Sequence, residues 1–91
     1  MIGSTRSHAA GPVVVYGNRW CGITQLIRRT LDRAGVAYDY VDLDANPDVE
    51  RRLRWMLGRG FRQPLVYVAG RWLEQPTPAD LRRALMLARA A

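Results

Sequence analysis

Hydrophobic and polar positions along the chain follow two periods, and the switches between them mark the elements. "PVVVYG", Pro12 to Gly17, is a β-branched apolar run closed by glycine. Apolar on both faces, it predicts a fully buried strand. The period then changes to three and four: Ile23, Leu26, Ile27, Thr30, Leu31 and Ala34 share one face, with Arg28, Arg29, Asp32 and Arg33 opposite. This is an amphipathic helix, stopped at Gly35 by a C-terminal cap. "VAYDYVDLD", Val36 to Asp44, predicts a second strand centred on Tyr38 to Val41.

Asn46 then stands as an N-cap with Pro47 in the first helical position and Asp48 and Glu50 in the first turn. All four suit the free amides and positive end of a helix start. Val49, Leu53, Met56 and Leu57 form its apolar stripe, and Gly58 and Gly60 end it. "PLVYVAGRWLE" predicts two short strands joined at Ala69-Gly70. The last helix opens with Thr77 as N-cap, Pro78 in the first turn and Asp80 three after the cap, a near capping box. Leu81, Ala84, Leu85 and Ala88 are its core face. The order is β-α-β-α-β-β-α. A helical crossover makes the first two strands parallel, and the hairpin adds antiparallel ones. An α/β fold follows: a four-stranded mixed sheet covered by three helices.

Composition narrows the function classes. With 91 residues, one domain is expected, with residues 1–11 as a flexible N-terminal tail and 12–91 as the folded unit. The hydrophobic fraction of 48% suits a folded core and is too high for a disordered chain. No apolar run approaches the roughly 18 residues of a membrane span. "MIGSTRSHAAGP" lacks the apolar stretch of a secretory signal, so a cytoplasmic protein is expected. The net charge is +6, and every basic residue is Arg. The arginines alternate with acids on helix faces, the pattern of a solvated surface rather than of a nucleic-acid site.

Cys21 is the sole cysteine, which excludes an internal disulfide. One Cys and one His, His8 in the tail, do not fill a tetrahedral metal shell. Cys21 falls where the first strand gives way to the first helix. Helix-start amides and the helix dipole stabilise an anion there, drawing the thiol below its free pKa of about 8.5. The thiolate is the nucleophile of disulfide exchange. Arg19 offers positive charge beside it, Trp20 a flat flank, and Gly22 an open backbone. The competing reading is an inert packing cysteine. Cys21 lies just outside the apolar periodicity, which favours the reactive one.

"VVVYGNRWCGIT" with its helix, "VAYDYVDLDANPD" and "RQPLVYVAGRWLEQPTPADL" together resemble glutaredoxins over about residues 12 to 90. Among these the chain is similar to mycoredoxin-like proteins, which carry W-C-G-Y-C. The resemblance implies a minimal thioredoxin-like fold and thiol–disulfide oxidoreduction. It implies a cis Pro64 beside the sulfur, in place of the family's T-V-P, with Arg62-Gln63-Pro64 here. The backbone of Gln63 would then pair with a small thiol, and Thr77 would line the same groove. Without the resemblance, Pro64 reads as a strand-opening proline in the commoner trans form. Glutathione-using members carry a Lys three before the cysteine and a Gly-Gly turn before the last helix. Asn18 and Gln75-Pro76-Thr77-Pro78 stand there, so mycothiol rather than glutathione is the expected co-substrate, with no tightly bound cofactor. Arg59 and Arg62 are candidates for a carboxylate or sugar hydroxyls and equally for plain solvated charge. Trp55 and Trp72 read as packing or surface residues.

Dithiol members carry a second cysteine where this chain has Thr24. Its hydroxyl lies one helical turn from Cys21, placed to donate to the thiolate. The expected chemistry is monothiol, on mixed disulfides between proteins and a small thiol, in a monomer. Cys-Gly-Ile-Thr also resembles the C-G-F-S of monothiol glutaredoxins that share a [2Fe–2S] cluster between subunits, with Cys21 then a ligand. A third reading is a redox-inactive binding module that keeps the fold.

Overall fold

Val13–Gly17 form β1 at the centre of the sheet in the computed structural model of the chain, which describes residues 13–90. The tail expected over 1–11, His8, Pro12 at the strand start and Ala91 lie outside the described residues. Helix α1 spans Gly22–Arg33, β2 Asp39–Asp42, α2 Pro47–Leu57, β3 Leu65–Val68, β4 Arg71–Glu74 and α3 Pro78–Ala90. The sheet order is β2-β1-β3-β4. Strands β1 and β2 run parallel, with Tyr16 opposite Val41; β1–β3 and β3–β4 are antiparallel. This is the α/β thioredoxin-like arrangement that the element order implied.

Two cores sandwich the sheet. On one face α1 and α3 bury Ile27, Leu31, Leu81, Ala84 and Leu85 against Val13, Val15, Val66 and Val68. On the other, α2 sets Leu53 against Leu43 and Leu65, with Tyr16, Val41 and Trp72 partly covered. Strand β1 therefore departs from the expectation of full burial. Val13, Val15 and Gly17 are buried, while Val14 and Tyr16 are half-buried. A single short helix covers that second face, and it cannot cover all of it.

Helix α1 is rotated from the stripe read in sequence. Its buried residues are Thr24, Ile27 and Leu31, whereas Ile23 and Leu26 are each 42% exposed. Ala34 is exposed as well. Spacings of three and four fit both stripes; docking over Val13 and Val15 selects the one that places Thr24 under the sheet's end. In α2, Leu53 is buried but Met56 is 51% exposed, because that helix rests on the sheet along one narrow line. Asn46 is the N-cap of α2 by position, yet its side chain makes no capping bond. Its Nδ2 instead donates to the Asp42 carbonyl at 2.8 Å, tying the helix start to β2.

The connections follow local chemistry. Ala69 and Gly70 both have positive φ, +45° and +94°, as a two-residue hairpin turn of the favoured hand requires. The capping box of α3 forms: the Asp80 amide donates to Thr77 Oγ1 at 3.1 Å, and the Thr77 amide donates to Asp80 Oδ2 at 3.0 Å.

Candidate active site

Cys21 is the N-cap of α1, with φ −85° and ψ 122°. The N-cap side chain faces the amides of the second and third helical residues, here Ile23 and Thr24. In the thiol form the sulfur makes no formed capping bond. Those amides nevertheless govern its ionisation. The Thr24 amide acts most strongly, aided by the Thr24 hydroxyl and the Ile23 amide, and together they outweigh partial burial and hold the Cys21 pKa below that of an ordinary thiol. Arg19, expected to help electrostatically, contributes no part of this shift. Its Nε lies 3.6 Å from Asp42 Oδ2, an ion pair across to β2.

Thr24 is fully buried, and its Oγ1 has no hydrogen-bond partner. An orphaned buried hydroxyl is costly. Here it stands beside a sulfur that turns into a strong acceptor on losing its proton. A fixed donor in that position favours the thiolate.

Gly17 makes the arrangement possible. A Cβ at this position would lie 2.5 Å from Thr24 Oγ1 and 3.1 Å from both Thr24 Cγ2 and Pro64 Cβ. The end of β1 is thus wedged between Thr24 and Pro64, and a side chain there has no room. The Gln63–Pro64 peptide is cis, as the resemblance implied. Cys21, Thr24, Gly17 and Pro64 accordingly form one cluster.

Trp20 and Gly22 adjoin Cys21 along the chain, and Gln63 adjoins Pro64. Trp20, next to the sulfur, is 84% exposed, and Gly22 is exposed with open space where a side chain would stand. Gln63 is half-buried and Arg62 exposed. The bonds of Arg62 and Thr77 run to residues outside the cluster. The Arg62 amide donates to Glu74 Oε1 at 3.3 Å, and the Thr77 hydroxyl and amide are committed to Asp80.

Sequence reasoning overlooked Gly17 as a site residue, although a glycine ending a β-branched run just before the cysteine was the available signal. It overlooked Gln25, whose Nε2 donates to the Arg19 carbonyl at 2.9 Å and braces the loop carrying Cys21. It named Gln75 only as part of the turn before α3 and overlooked its side chain, whose Nε2 donates to the Gln63 carbonyl at 2.7 Å. Neither glutamine carries a sequence signal of its role, because each partner is fixed only by folding.

Among the described residues, no group of three or more His, Cys, Asp or Glu is placed to hold a metal. An iron–sulfur cluster of this type takes four sulfur ligands, and this chain supplies one. Its own residues therefore do not complete such a site. No helix among the described residues is long and apolar enough to cross a membrane.

A family profile described as Glutaredoxin matches residues 13–73. No curated protein sequence matches the chain. Among solved structures, the fold is similar to the glutaredoxin-like protein NrdH-redoxin from Escherichia coli, with a TM-score of 0.70 and 22% identity, covering 79% of this chain and 92% of that one. It is also similar to the holo form of glutaredoxin C1 from Populus tremula x tremuloides, at TM-score 0.68 and 26% identity, over 88% and 89% of the two chains. The solution structure of reduced glutaredoxin C1 from the same source superposes at TM-score 0.63 with 24% identity, over 90% and 71%.

Proposed function

Since the chain belongs to the glutaredoxin family, whose fold serves thiol–disulfide exchange, we propose that it is a monothiol oxidoreductase acting on mixed disulfides between proteins and a small thiol. The observation that carries this reading is the pairing of Cys21, whose thiolate is favoured by helix-start amides, with the buried and unpartnered Thr24 hydroxyl.

The Cys21 thiolate attacks the small-thiol sulfur of a protein mixed disulfide. A new disulfide joins Cys21 to the small thiol, and the protein leaves as its thiolate, which takes a proton from water. A second small-thiol thiolate then attacks the small-thiol sulfur of that adduct. The products are the oxidised small-thiol dimer and the regenerated Cys21 thiolate. Net, the incoming small-thiol sulfur is oxidised to the disulfide level and the substrate protein's sulfur is reduced to a thiol, so the electrons balance. Thr24 stabilises the thiolate as attacking group in the first step and as leaving group in the second. Gln63 and Pro64 would line the groove for the small thiol, with Arg19, Trp20, Gly22, Arg62 and Thr77 around it.

Mycothiol is the proposed co-substrate rather than glutathione. This rests on Asn18 and the Gln75-Pro76-Thr77-Pro78 turn, which replace the Lys and Gly-Gly of glutathione-using members. The test exposes reduced protein separately to mycothiol disulfide and to glutathione disulfide and follows intact mass. One adduct on Cys21, gained faster with mycothiol and lost in Cys21→Ser, is expected. A folded protein that gains no adduct with either disulfide refutes the reading.

A further inference from the structure

Gln75 follows β4 with φ +45°, a left-handed conformation that a non-glycine residue adopts at some cost. It makes two bonds there. Its backbone amide donates to the Pro64 carbonyl at 2.8 Å, and its side-chain Nε2 donates to the Gln63 carbonyl at 2.7 Å. One residue thus serves two consecutive carbonyls. The first bond anchors the loop. The second takes a backbone acceptor that no strand partner uses, because β3 begins only at Leu65.

The location of that acceptor matters. Gln63 directly precedes Pro64, whose Cβ abuts the Gly17 position beside Thr24. A disulfide carried on a peptide-like backbone, with one sulfur against Cys21, brings an amide N–H into this region. The Gln63 carbonyl is an acceptor it would meet. A primary amide such as that of Gln75 is the same kind of donor as a peptide N–H.

Resting on the thiol-exchange reading above, we propose that Gln75 determines specificity: its side-chain amide holds the Gln63 carbonyl and competes for it with the amide of a peptide-like disulfide. Exchanging one amide donor for another gains little net hydrogen bonding. A disulfide without amide groups bypasses the contact. Gln75 therefore lowers the preference of the site for peptide-like disulfides relative to amide-free ones.

Gln75→Met tests this, because methionine keeps the length of the side chain and removes the donor. Rates of adduct formation on Cys21 are compared for glutathione disulfide, which is peptide-like, and bis(2-hydroxyethyl) disulfide, which has no amide. The ratio of the first rate to the second should rise about 2- to 10-fold in Gln75→Met, the range set by the net worth of one hydrogen bond. The rise should appear as a lower half-saturation concentration rather than a faster maximal rate. An unchanged or lower ratio in the folded variant overturns the proposal. A second measurement does not depend on a reactive thiol. S-methylglutathione is titrated into the Cys21→Ser protein with and without Gln75→Met and followed by NMR. Tighter binding to the protein carrying Gln75→Met, together with a shift of the Gln75 side-chain amide on titration of the protein that retains it, supports the proposal. Equal or weaker binding overturns it. If Cys21 reacts with neither disulfide, the oxidoreductase reading fails while this titration still decides the role of Gln75.

Discussion

Replacing Thr24 by valine separates stability from reactivity. Valine has nearly the shape of threonine but no hydroxyl, and Thr24 is fully buried with Oγ1 unpartnered. An unsatisfied buried hydroxyl costs about 1–3 kcal/mol. Removing it should stabilise the thiol form by about 1 kcal/mol, the low end of that range, since the nearby sulfur gives the hydroxyl some weak company. For a domain of this size, about 1 kcal/mol raises Tm by roughly 4–8 °C. The thiolate responds in the opposite sense. A hydrogen bond to a charged group contributes about 1.5–3 kcal/mol, discounted to about 1 kcal/mol because Cys21 is partly solvated and the Thr24 and Ile23 amides remain. With the thiol stabilised and the thiolate destabilised, the two states move apart by about 2 kcal/mol, a roughly 30-fold drop in the thiolate fraction at pH well below the Cys21 pKa. The assays are thermal unfolding at mildly acidic pH, where the sulfur is a thiol, and the pH profile of iodoacetamide alkylation. In the native protein that profile rises at a pH below that of a free cysteine, and in Thr24→Val it should move upward. The same depressed pKa also fixes the sign of the effect on stability. The contribution of the thiolate is present above the unfolded-state thiol pKa and is lost as pH falls through the lower folded value. A Thr24→Val protein that is less stable and reacts at the native rate would refute the account of Thr24 as a donor held for the thiolate.

Thr24→Cys should permit a disulfide with Cys21, one helical turn away, seen as loss of free thiol under mild oxidation without formation of dimer; a persistent thiol titre would argue that the helix start is misplaced. Gly17→Ala should destabilise by about 1–3 kcal/mol in urea unfolding, because its methyl group would stand 2.5 Å from Thr24 Oγ1 in a packed site. It should also alter Cys21 alkylation, and native stability with native alkylation would contradict the packing described for β1. Thr77→Ala should cost about 1 kcal/mol by removing the acceptor for the Asp80 amide at the start of α3. The Thr77 amide and hydroxyl also hold the Asp80 carboxyl below its ordinary pKa. The stability from that carboxylate is present above the usual carboxylate range and is lost as pH falls through the lower folded value. The gap between native protein and Thr77→Ala should therefore narrow in acid, and a gap that widens there would be inconsistent with the capping box.

Local chemistry fixed much of this protein before any tertiary contact. The β-branched run of β1, the period of α1, the Ala69-Gly70 turn and the Thr77–Asp80 cap each act over a few residues, and each is present in the fold. The position of Cys21 at a helix start follows from the same short-range signals, as does the Thr24 hydroxyl one turn on. The tertiary structure decided the rest. It chose the Thr24–Ile27–Leu31 stripe over the one through Ile23 and Leu26, since both satisfy the helical period and only docking against the sheet distinguishes them. It turned Asn46 from a cap into a tie to Asp42, and pressed Gly17 between Thr24 and Pro64. It also brought the Gln75 amide to a carbonyl twelve residues away. A periodic pattern records which residues share a side of an element. Where two elements approach within hydrogen-bond or van der Waals reach is set by the packing of the whole core, which no short window of sequence contains.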